Sequence, residues 1–151
     1  MLKLALGTVT VLFSATSALA MDLAMGNAND TKWGPAPPYL PGAQLSVILG
    51  NPRAESGPYV VRLKFPANYK IPPHSHPKAE FLTVITGNFH AGMGEKVDEK
   101  KAHELTSGGF LEGRPNMPHF GWTTSETVVQ IHGEAPLETN FVNPADDARK
   151  R

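Results

Sequence analysis

The residues best equipped for chemistry lie in one stretch, Pro72-Pro73-His74-Ser75-His76-Pro77-Lys78-Ala79-Glu80, which runs on through Phe81-Leu82-Thr83-Val84-Ile85-Thr86 to Gly87. An extended chain alternates its side chains with period two, so His74 and His76 share a face, and Glu80 keeps the same parity if the strand resumes after Pro77. Two imidazoles and a carboxylate directed at one point form the wall of a divalent-metal site. Taken singly, each has a plainer reading: His74 and His76 as polar residues of a proline-bound loop, Glu80 as a surface carboxylate on a strand. Their spacing favours the shared role.

The neighbouring segments read as the strands that would hold such a wall. Ala43–Leu49 is the first, ended by the turn residues Gly50-Asn51-Pro52. Tyr59–Phe65 alternates, with Val61, Leu63 and Phe65 on one face and Arg62 and Lys64 on the other, the pattern of a half-buried strand. Pro66 and Pro72-Pro73 bracket a loop that delivers His74 and deny helix there. Phe81–Ile85 is apolar on both faces, and Gly87-Asn88 turns it into Phe89–Met93. The charged stretch Gly94–His103 reads as a solvated loop or short helix. Short strands follow at Ala102–Thr106 and Phe110–Leu111, and the turn Arg114-Pro115-Asn116-Met117-Pro118 leads into His119–Thr123. Glu126–Gly133 and Leu137–Asn143 complete a set of about nine strands, with no helical period and no internal repeat. That pattern predicts an all-β fold, a closed or double-sheet antiparallel barrel.

The chain has 151 residues, 40% of them hydrophobic, enough for one domain with a core. Residues 1–20 read as a secretory signal peptide: Met1-Leu2-Lys3 is a short positive start, Leu4–Ala15 is mostly apolar, and Ala18-Leu19-Ala20 has the form of a cleavage site. The alternative, a membrane anchor, needs roughly 20 apolar residues and a stop-transfer flank that does not follow. Removing Lys3 with the signal leaves 13 basic and 14 acidic residues, a formal charge of minus one. Such a balance attracts neither nucleic acid nor acidic lipid, and no membrane contact is expected after cleavage. With no cysteine, an oxidising compartment imposes no pairing, so a periplasmic or secreted location suits the chain. Residues 21–42, rich in Gly, Asn and Pro, read as an extended arm that Trp33, Tyr39 and Leu40 pin to the barrel or to a second subunit. Residues 144–151 read as a flexible charged tail.

Two segments together resemble the cupin family. The pattern His74-x-His76-x3-Glu80-x6-Gly87 matches its first motif at every ligand position and at the closing glycine. A second segment runs from Gly108 to His119 with the family's spacing, and 20 residues lie between Gly87 and Gly108. It departs from the family at three places: Arg114 stands where proline is usual, Asn116 where glycine is, and Thr123 where asparagine often follows. The resemblance covers residues 43–143 and implies a cupin-type jelly-roll β-barrel with His74, His76, Glu80 and His119 on one divalent transition metal. A mixed nitrogen and oxygen donor set suits manganese, iron, zinc or copper, and four protein ligands on a six-coordinate ion leave two positions for water or substrate. Iron or manganese is the family habit. A signal without a twin arginine instead implies metal loading outside the cytoplasm, where raw affinity favours copper and zinc.

The expected function is an exported metal-binding cupin enzyme acting on a small oxygenated molecule such as an enol, a keto acid or a phenol, as a dioxygenase or as a lyase or isomerase. Glu80 could detach to serve as base. The alternative is a non-catalytic periplasmic module that binds a metal or a small ligand, since one fold hosts many functions. An acid or base besides the ligands would separate the two, and Glu112 is the nearest candidate. Gln130 and His132 could bind substrate if their strand face points inward, and Arg114 could meet an anion at the barrel mouth. His90, His103 and His132 match no motif position and read as structural or exposed, while Phe81, Phe89, Met93, Phe120 and Trp122 are candidates for barrel packing. Related barrels often pair through an N-terminal arm, which predicts a homodimer here.

Overall fold

A computed structural model describes residues 25–150; the expected signal peptide lies outside the described residues. The described residues form eleven strands: β1 (Gly34–Pro35), β2 (Gln44–Leu49), β3 (Pro58–Phe65), β4 (Lys70–Ser75), β5 (Glu80–Thr86), β6 (Phe89–Met93), β7 (His103–Leu105), β8 (Phe110–Gly113), β9 (His119–Thr123), β10 (Thr127–Glu134) and β11 (Asn140–Phe141). They assemble into a six-stranded sheet in the order β1-β2-β3-β10-β5-β8 and a five-stranded sheet in the order β11-β4-β9-β6-β7, with antiparallel pairing throughout. This is the all-β jelly roll expected from the strand pattern and the resemblance.

Alternation decides what faces the interior. Along β3, Tyr59, Val61, Leu63 and Phe65 are buried and pack with Leu82 and Val84 of β5, Phe89 and Ala91 of β6, and Val129 and Ile131 of β10. Because Glu80, Leu82 and Val84 point inward, Phe81 points out and is 40% exposed. Met93 is 42% exposed at the end of β6. Both were candidates for barrel packing and neither belongs to the core; Phe89 and Phe120 do lie buried.

Three segments differ from the sequence reading. The proline-bracketed loop before His74 is largely the strand β4. Its register against β9 passes from Ile71↔Gly121 to His74↔His119 through an irregularity, and Pro72 and Pro73, which have no N–H to offer, occupy it. The expected strand Leu137–Asn143 shrinks to Asn140–Phe141 paired with Ser75 and His74. The expected flexible tail folds back as two 3-10 turns, Pro144–Asp146 and Ala148–Lys150, with Asp147 buried between them.

The arm is attached at several points. Gly34 and Pro35 pair with Leu45 and Gln44, Lys64 Nζ lies 4.5 Å over the Trp33 ring, and Arg62 donates to Thr31 Oγ1 at 2.9 Å. Gly87 turns β5 into β6 with φ of +81°, and a Cβ there would meet the Glu126 carbonyl oxygen at 2.4 Å, so only glycine fits the turn.

Candidate metal centre

Both sheets contribute to the site. His74 lies on β4 directly opposite His119 at the start of β9, and Phe141 of β11 is its partner on the other side. His76 follows the end of β4, where the Asn116 N–H donates to its carbonyl at 2.7 Å. Glu80 opens β5 in the other sheet, inward by parity. All four side chains are buried: His74, His76, Glu80 and His119 are between 4% and 8% exposed.

The imidazoles are oriented by the main chain. His74 Nδ1 lies 2.7 Å from the Pro72 carbonyl, His76 Nδ1 2.6 Å from that of Glu138, and His119 Nδ1 3.1 Å from that of Met117. A carbonyl only accepts, so each Nδ1 carries the proton and each Nε2 is left with its lone pair. The three imidazoles bring one donor atom each to within 4.8 Å of one another. His76 Nε2 is a buried polar atom with no hydrogen-bond partner, a costly state for a lone pair in an apolar site and a natural one for a ligand awaiting a cation. Glu80 Oε2 stands 3.4 Å from that nitrogen, though its carboxylate lies outside the three-imidazole group. The donor set fits a divalent first-row metal: neutral imidazoles, one carboxylate, and Nδ1 bonds of the kind that fix ligand orientation.

Burial also sets the charge state. It holds the His74 imidazole far below its usual range, at about 3; the neighbouring rings of His119 and His76 push the same way, against the bond to Pro72. His119 is lowered too, chiefly by burial, with His76 adding to the effect and the Met117 bond and Glu80 opposing it. His74 therefore stays neutral in mildly acidic solution, and His119 is shifted in the same direction.

The site opens into an apolar chamber. Leu63, Phe65, Leu82, Phe89 and Ile131 line its deep end, and the part-exposed Tyr39, Leu137 and Phe141 line its outer end. About 60 Å³ is open to the centres of water molecules, room for several of them. Beyond the four site residues, the hydrogen-bonding side chains on its wall are Tyr39 and Thr139.

This architecture is similar to that of the polyketide cyclase RemF from Streptomyces resistomycificus, with a TM-score of 0.66 and 16% identity, covering 85% of this chain and 92% of that one. It is also similar to an RmlC-like cupin from Shewanella frigidimarina NCIMB 400, with a TM-score of 0.57 and 15% identity over 75% and 91% of the two chains. The chain has the cupin fold. A salicylate 1,2-dioxygenase from Pseudaminobacter salicylatoxidans matches with a TM-score of 0.54 and 12% identity, covering 66% of this chain and 30% of the other. No family model and no curated protein matches the sequence.

The other candidates fall outside the cupin chamber. Arg114 is exposed and pairs with Glu112 at 3.3 Å, and neither residue lines the chamber. Gln130 and His132 lie on the outer face: Gln130 accepts from Arg62 Nε at 3.1 Å, and His132 stacks on Phe81 with ring centroids 5.2 Å apart. His90 stacks on Trp122 at 4.8 Å, and His103 is exposed on β7. Asn116, at the usual glycine position, has φ of +58°, a conformation asparagine tolerates better than other side chains, so the departure keeps the turn. What the sequence did not reveal is the closing segment. Glu138 supplies the His76 acceptor, Leu137, Thr139 and Phe141 line the chamber, and Arg149 braces them from the tail. Tyr39 was visible as an apolar point of the arm, and Phe141 lay unremarked within the expected strand Leu137–Asn143; the Asp147–Arg149 pair carries no periodic signal.

Proposed function

We propose that this cupin is an exported metal-dependent enzyme that acts on a small oxygenated molecule, as a dioxygenase or as a lyase or isomerase. His74, His76 and His119 hold a divalent transition metal through Nε2, with Glu80 as the fourth ligand. The observation that carries the reading is the unpartnered His76 Nε2, buried beside two other imidazoles whose Nδ1 protons are all tied to backbone carbonyls. Solved structures with this fold include a polyketide cyclase, DMSP lyases and a salicylate dioxygenase, which supports chemistry at such a site without choosing among reactions.

When bound, the metal would supply Lewis acidity toward a substrate oxygen. The chain's own residues do the rest. The apolar wall excludes water and fixes the substrate against the imidazoles. Glu80, set apart from the three-imidazole group, is placed to exchange its ligand role for that of a base, and it is the acidic residue among those lining the chamber. Elemental mass spectrometry on signal-processed protein recovered from the periplasm, beside a His76→Ala variant, tests the proposal. One transition metal per chain, lost in the variant, is the expected result, with zinc or copper if loading occurs outside the cytoplasm. Wild-type protein that holds no metal and takes up none on reconstitution would refute it.

A further inference from the structure

The composition of the chamber wall limits what can occupy it. Among the described residues no lysine or arginine lines it, and its one formal charge is the Glu80 carboxylate. The nearest candidate to correct that balance at the outer end is Arg149, whose guanidinium lies 4.9 Å over the Tyr39 ring. Two of its three nitrogens are engaged. Nε and Nη2 donate to the two carboxylate oxygens of Asp147 at 2.7 and 2.9 Å, and Nη2 also donates to the Thr139 carbonyl at 2.9 Å. Arg149 therefore braces the wall and presents no free cation to the interior.

A divalent ion on these ligands would bring two positive charges against the one negative charge of Glu80. One anionic oxygen restores neutrality, and a second negative charge would sit unpaired in an apolar, low-dielectric space. Hydroxyl groups fare little better, because among the described residues Tyr39 and Thr139 are the only hydrogen-bonding side chains on the wall besides the site residues. Size adds a further limit, since only about 60 Å³ of the chamber is open to the centres of water molecules.

We propose that the chamber takes a compact, mainly apolar molecule that meets the metal through one oxygen edge and carries at most one negative charge, as an enol or a phenol does, and that it rejects polycarboxylates, phosphates and sugars. This rests on the metal-centre reading above. The test uses cobalt-substituted protein and two chelating probes of equal heavy-atom count: acetylacetone, which binds as a monoanion with methyl ends, and malonate, a dianion. Cobalt uptake is first established by visible absorption, and dissociation constants for the two probes are then measured against those of the aqueous ion. Relative to that reference, the protein is expected to favour acetylacetone over malonate by at least tenfold, and a Leu137→Lys variant, which adds a cation to the wall, is expected to lose most of that preference. Cobalt uptake combined with malonate binding as well as or better than the reference ratio would overturn the ligand class and leave the metal centre standing. Failure to take up cobalt would overturn both.

Discussion

The metal-free protein should lose stability as the solution is made mildly acidic, and one imidazole should account for much of the loss. Burial lowers His74 from 6.5 to about 3, so the folded state keeps it neutral where the unfolded chain binds a proton. The unfolded state therefore carries more protons below pH 6.5, and stability falls continuously from there until the pH reaches about 3. At pH 5 the separation is about 1.5 pH units, and at about 1.4 kcal/mol per unit this amounts to about 2 kcal/mol. With a urea slope of about 1–3 kcal/mol per molar, the midpoint should drop by roughly 1 M between pH 7 and pH 5. The assay is urea unfolding with chelator present, on the wild type and on His74→Gln, which keeps an N–H for the Pro72 carbonyl and does not titrate. His119, lowered for the same reason, leaves a residual slope in both proteins. The difference between the two slopes isolates His74. Parallel slopes, or a wild type firmer at pH 5 than at pH 7, would refute the reasoning.

Three further outcomes follow from single positions. Gly87→Ala should destabilise the fold by about 1–3 kcal/mol from the left-handed backbone alone, with more from the close approach of the Glu126 carbonyl, and thermal unfolding reads it directly. At Asn116 the order should be Asn and Gly similar and Ala lower by about 1 kcal/mol, because φ is +58°; equal stability of all three would contradict the turn geometry. Arg149→Ala should lower the melting temperature and speed metal extraction by a chelator, and Arg149→Lys should restore little of either, since one ammonium cannot hold both Asp147 oxygens and the Thr139 carbonyl. The Arg149 bond also holds the Asp147 carboxyl below its usual range, so this pair's contribution is present above the ordinary carboxylate pKa and disappears as the pH falls through the lowered one.

Legibility in the sequence followed the physical range of each signal. Alternation is local, and along Tyr59–Phe65 it identified both the strand and its buried face. The ligand spacing is equally local for His74, His76 and Glu80, and the family resemblance brought in His119 from a strand directly opposite. What failed depended on tertiary context. Pro72-Pro73 read as the close of a loop, yet they lie within β4, at a break in its register. Phe81 and Met93 were apolar but had the wrong parity or position for the core. The tail has the composition of a frayed end, and its order comes from one carboxylate meeting one guanidinium two residues away beneath Tyr39. The pair is local, but the Thr139 carbonyl and the Tyr39 ring that receive Arg149 lie outside any window of eight residues.

The same distinction bears on what orients the ligands. All three Nδ1 acceptors are main-chain carbonyls, at Pro72, Met117 and Glu138. Two are two residues from their histidine, Pro72 on β4 and Met117 in the turn before β9, so the local chain supplies them, whereas Glu138 is 62 residues from His76 and reaches it through the closing segment that lines the chamber. Outer partners of metal-bound histidines commonly contribute 10–100-fold to metal affinity when they are side chains. Here the identity of the side chain should scarcely matter. Glu138→Ala keeps the carbonyl and should leave zinc affinity within about twofold in a chelator competition, even though its carbonyl makes the shortest of the three bonds. A chain ending at Pro136 removes that carbonyl together with the wall residues Leu137, Thr139 and Phe141, and should bind zinc at least tenfold more weakly. A tenfold loss in Glu138→Ala itself would mean that the carboxylate, and not the backbone path, governs His76, and the account of how this site is built would have to change.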